Sequence, residues 1–74
     1  MSRLPVLRPQ VVIKALERAG FEVVRVRGSH YQLANRSRGR RVTVPHHSRD
    51  LTRATMSSIL NQAGLSAEEF LKLI

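Results

Sequence analysis

The sequence predicts an α+β fold: a two-layer sandwich in which helices cover one face of a three-stranded antiparallel sheet, in the order α-β-β-β-α plus a short C-terminal helix. Two observations carry this prediction. Apolar residues recur at helical spacing near both ends of the chain, at Val12, Ala15, Leu16 and Ala19 and again at Met56, Ile59, Leu60 and Ala63. Between them, from Phe21 to Pro45, the pattern alternates with a period of two, broken by Gly28 and by the Asn35 to Gly39 run.

The first helix spans residues 9 to 19, with Pro9 in the first turn, where its missing N–H costs nothing, and Gly20 as the stop. Val24 and Val26 then fall on one side of a first strand and Arg25 and Arg27 on the other. Gly28 permits a turn. The second strand carries Tyr31 and Leu33 on its covered face and His30, Gln32 and Ala34 on the other, so His30 faces solvent or a ligand.

Asn35-Arg36-Ser37-Arg38-Gly39 forms a hairpin loop, and Val42 and Val44 alternate with Arg41 and Thr43 until Pro45 ends the ladder. A polar loop runs from His46 to Leu51, after which Thr52 caps the second helix and Gly64 ends it. Ser66 and Glu69 make an S-x-x-E capping box that opens the short third helix, whose Phe70, Leu71 and Ile74 dock on the body. Met1 to Leu7 reads as a loosely ordered arm. Residues 1–74 read as one small domain, with no linker or internal repeat.

Composition narrows the function. The chain has no cysteine, which removes disulfides and thiolate metal sites, and no long apolar run or export signal, so a cytoplasmic protein that does not enter the membrane is expected. The formal net charge is +8, from 13 Lys+Arg against 5 Asp+Glu. Eleven of those cations are arginine, whose planar fork suits phosphate. Eight lie between Arg25 and Arg53, where Asp50 is the only acid, which is the electrostatic footprint of a nucleic-acid binder.

Gly28-Ser29-His30 and Pro45-His46-His47 stand out within that basic stretch. Together with Gly20-Phe21, with Val44 before the Pro-His-His, and with the Ile59 to Phe70 tail, they closely resemble the HicA toxins of bacterial toxin-antitoxin pairs, from about Val11 to Leu73. The resemblance implies a fold similar to double-stranded-RNA-binding domains. It also implies an endoribonuclease that cleaves messenger RNA, is held inactive by a HicB antitoxin, and uses the histidine of the Gly-Ser-His motif, here His30, as catalyst.

The chemistry of the side chain agrees, because imidazole is the group that exchanges protons near neutral pH and RNA offers the ribose 2′-OH. Arg25 and Arg27 on the first strand, or Arg40 and Arg41 at the third, are candidates for holding RNA phosphates. Ser29 either satisfies turn backbone or reaches a phosphate. His46 and His47 could contact phosphate, orient a base, supply a second proton-transfer group or do nothing catalytic. No metal or other cofactor is expected, since neighbouring histidines rarely chelate one ion and the arginines repel a cation. Tyr31 is expected in the core rather than stacked on a base. The alternatives are a non-catalytic RNA-binding module of the same fold and a basic protein that meets only an acidic partner.

Overall fold

The computed structural model describes residues 4–74. It contains α1 (Pro9–Arg18), β1 (Glu22–Arg27), β2 (His30–Asn35), β3 (Arg40–Pro45), α2 (Arg53–Ala63) and α3 (Ala67–Leu71). The three strands form one antiparallel sheet in the order β1-β2-β3. The helices lie behind it, so the expected α+β layout is the one observed.

Each helix begins and ends where its residues dictate. Pro9 opens α1, which buries Val12, Ile13, Ala15 and Leu16, while Ala19 becomes the C-cap rather than the last helical residue. In α2 the Thr52 hydroxyl accepts from the Thr55 N–H at 3.2 Å, and Gly64 closes the helix in the left-handed region with φ of 70°. In α3 the capping box is complete: the Ser66 hydroxyl accepts from the Glu69 N–H at 3.0 Å, and Glu69 Oε1 accepts from the Ser66 N–H at 2.9 Å. The Ser66 backbone bond, then its hydroxyl, and more weakly Arg38 and Lys72, hold the Glu69 carboxyl below the usual carboxylate range.

One apolar cluster joins the two layers, with Leu33, Val42 and Val44 from the sheet meeting Leu16, Met56, Ile59, Leu60 and Phe70 from the helices. Two segments depart from the sequence expectation. Leu51, assigned to a polar loop, is 2% exposed and part of the core. Leu4 and Leu7 pack against that core, and the Leu7 carbonyl accepts from the Leu51 N–H at 2.8 Å. The chain from Leu4 onward is thus fastened rather than a loose arm, and Met1 to Arg3 lie outside the described residues. Apolar side chains and a backbone bond explain the difference, since both leucines gain by leaving water.

The β1 alternation is also interrupted. Val23 pairs with Leu33 and Arg25 with Gln32, so Val24 is an extra residue, a β-bulge. Val26, opposite Tyr31, is on the covered side by register yet 52% exposed, and the valine partner of Leu33 is Val23 and not Val24. Adjacent valines fit either phase, which is why simple alternation misplaces the first of the expected pair.

Asn35 fixes the β2–β3 loop. It is 3% exposed, its Nδ2 donates to the Ala19 carbonyl at 3.3 Å, and its Oδ1 accepts from the Ser37 hydroxyl at 2.8 Å and the Arg38 N–H at 3.3 Å. Replacing Asn35 with alanine is expected to lower stability by roughly 1–3 kcal/mol, because buried groups lose their partners. The urea midpoint reads this directly; a loss below about 0.5 kcal/mol would show that the loop holds without the side chain.

Candidate nucleic-acid interface

Residues directly opposite on neighbouring strands share a face, so the register sorts the side chains. Leu33 and Val42, Tyr31 and Val44, and Val23 point toward the helices. The open face carries Glu22, Arg25 and Arg27 from β1, His30, Gln32 and Ala34 from β2, and Arg41 and Thr43 from β3.

His30 sits at the mouth of the first hairpin. Gly28 has φ of 57° and no non-glycine residue among those described has positive φ, so Gly28-Ser29 is a two-residue turn of the II′ kind, which needs glycine at its first position. That turn leaves Arg27 and His30 as the closing cross-strand pair, both exposed. Pro45 flanks His30 on the other side, and Arg25 and Thr43 are its diagonal neighbours. The arginines are therefore ranked by the register: Arg27 is opposite the imidazole and Arg25 is one diagonal away. Arg41 lies opposite Ala34, roughly 13 Å farther along β2 at about 3.3 Å per residue.

The remaining candidates divide. The Ser29 carbonyl accepts from the His46 N–H at 2.5 Å, tying the turn to the end of β3. The half-buried His46 ring stacks on Tyr31 with centroids 4.7 Å apart and planes 25° apart, so it sits with a side chain of the covered face rather than beside His30. Tyr31 is half-buried against the core and has a ring partner, a role between the two weighed from sequence. His47 is exposed and its Nδ1 accepts from the Arg49 N–H at 3.1 Å, shaping the loop before α2.

Arg40 pairs with buried Asn35, and its guanidinium lies over the end of α2: a Cβ built on Gly64 would stand 2.8 Å from Arg40 Cζ. There the positive group faces the negative end of the helix dipole. Among the described residues no three His, Cys, Asp or Glu side chains converge, and no helix is long and apolar enough to cross a membrane.

Sequence reasoning passed over three contributors. Val24 lies on the open face, one residue past the inward-facing Val23, and not on the covered side with Val26. Asn35 holds the loop beside Arg41. Gln62 accepts from the Thr43 N–H at 3.1 Å and covers the outer edge of β3. A polar residue between two apolar helix positions gives no sign that it clasps a strand.

The arrangement defines a class: a small basic α+β protein whose uncovered sheet face presents one histidine beside arginines at a hairpin mouth. Residues 10–65 match the family described as HicA toxin of bacterial toxin-antitoxin. The chain belongs to that family and is the toxin component of a toxin-antitoxin pair. No curated protein matches the chain by sequence.

Proposed function

We propose that the protein is a metal-independent endoribonuclease that binds messenger RNA on its open sheet face and cleaves it with His30, inhibiting translation until a HicB-like antitoxin covers that face. The observation that carries this reading is the exposed His30 directly opposite Arg27, with Arg25 on the diagonal. In the reaction His30 takes the proton of a ribose 2′-OH, the 2′-oxygen bonds to the adjacent phosphorus, and the bond from phosphorus to the 5′-oxygen breaks. The 5′-oxygen leaves with a proton returned from the imidazole or from water, giving a cyclic phosphate and a 5′-hydroxyl end.

Arg27, and Arg25 beside it, meet the charge that grows on the phosphoryl oxygens. Imidazole and guanidinium supply the proton transfer and the charge stabilisation, so the route needs no ion. Ser29 borders the same turn, His46 and His47 follow Pro45 next to it, Arg41 and the more distant Arg40 extend the basic surface, and the protein acts in the cytoplasm where its RNA is.

A non-catalytic RNA-binding module of double-stranded-RNA-binding type is the second reading. What favours it is His46: its ring sits against Tyr31 rather than on the His30 face, so that face gains no second imidazole from it. Incubation of the purified protein with a long messenger RNA in EDTA separates the two. Fragments ending in cyclic phosphate and 5′-hydroxyl are expected; intact RNA that is nonetheless bound, with affinity falling as salt rises, would replace the enzyme with the binder.

A further inference from the structure

The open face has a second feature, at the end of the sheet away from His30. A wide-mouthed cavity of about 390 Å³ is lined by Val24 and Ala34, by Arg36, Arg40 and Arg41, and by Asn35 and Gly39 at the loop. Its parts come from three separate causes. Val24, one residue past the inward-facing Val23, lies on the open face next to the small Ala34, and these two make an apolar floor. Arg41 stands opposite Ala34, and Arg36 begins the loop. Asn35 tethers that loop through its three hydrogen bonds, so this wall of the cavity is set before any ligand arrives. Gly39 has nothing within 4 Å of where a Cβ would stand, which leaves room for close approach. Glu22 also pairs with Ala34 but does not line the cavity.

A flat apolar floor between guanidinium groups matches a nucleotide with its base turned out of any helix. The base lies on Val24 and Ala34, an arginine plane stacks on it, and the flanking phosphate takes another of the cavity's arginines. A duplex keeps its bases paired and stacked and offers this concavity only backbone. We propose that the cavity is a seat for one unpaired nucleotide of single-stranded RNA, distant from the scissile phosphate at His30 and setting how RNA threads across the sheet. The inference rests on the ribonuclease reading and deepens it. The ~13 Å between Ala34 and His30 corresponds to roughly four nucleotides at the ~3.4 Å rise of a stacked strand, and to fewer when the strand is extended.

The test uses the full chain carrying His30→Ala, so that RNA stays whole, and a series of labelled single-stranded oligonucleotides of increasing length. Affinity is expected to step up roughly tenfold at the length that spans from His30 to the cavity. The step is expected to vanish when Ala34→Glu or, separately, Val24→Asp is added, and to be missing for duplexes of equal length. Amide shifts at Val24, Ala34 and Gly39 with adenosine monophosphate, and not with inorganic phosphate, are the matching result in the chain without either added substitution, whether or not the variants fold.

A step that survives both substitutions, or amide shifts produced equally by phosphate alone, overturns the nucleotide seat. Smooth growth of affinity with length overturns it too, and leaves the ribonuclease reading standing if the unsubstituted protein cleaves long RNA. Failure of that protein to bind or cleave any RNA removes both. Substitutions that abolish antitoxin binding while no RNA step exists reassign the cavity to an acidic protein partner.

Discussion

Replacing His30 with alanine is expected to lower RNA cleavage by roughly 10²- to 10⁴-fold, the usual worth of a positioned proton-transfer group, while RNA affinity changes little. The two effects separate because the groups that carry them differ. Affinity for a polyanion is spread over Arg25, Arg27, Arg41 and their neighbours, and no one exposed imidazole supplies much of it. In the proposed reaction, proton transfer from the 2′-OH is local to the hairpin mouth, where His30 faces Arg27. Nor is the fold expected to suffer, since His30 is exposed and outside the core cluster. Fragment analysis and binding on the same preparations check both halves. Undiminished cleavage by the alanine variant would remove His30 from the chemistry; equal loss of binding and cleavage would make it a contact rather than a catalyst.

The largest effect on stability is expected at Phe70, outside the 10–65 span of the family match. It is the largest of the fully buried side chains, held by a helix of only five residues. Truncation to alanine is expected to cost about 3–5 kcal/mol, transfer of the ring plus the cavity it leaves. A chain of this size has a total of roughly 4–11 kcal/mol to lose. At roughly 4–8 °C per kcal/mol the melting temperature should fall by about 10–40 °C. A shift of only a few degrees would show that α3 is an appendage. Because Phe70 sits in the helical layer and His30 on the open face, cleavage measured well below the new melting point should persist.

Much of this was legible in the residues. Thr52 and Gly64 bound α2, and Ser66 with Glu69 starts α3, because capping is a local contract between side chain and backbone. The placement of His30 on the open face followed from its alternation with Tyr31 and Leu33. What alternation hid was the phase break at Val24, since Glu22-Val23-Val24-Arg25 has two valines in succession and either can point inward. The ranking of the arginines was hidden for the same reason: it depends on register between strands, and no single strand encodes its partner's offset. Arg40 and His46 show the limit most plainly. Both belong by composition to the basic set, yet one guanidinium rests over Gly64 and the other ring on Tyr31, contacts between elements far apart in sequence.

The bulge at Val24 and the Gln62 clasp on Thr43 also bear on how the toxin keeps to itself when its antitoxin is scarce. A small open sheet has two rims, and an unguarded rim recruits further strands into aggregates. Gln62 occupies a backbone donor on the β3 rim. On the β1 rim the extra residue spoils the even spacing that a second strand would have to match, and Arg25 and Arg27 add like-charge repulsion against another copy. Protection from self-assembly is thereby built from residues at the two rims of the open sheet face.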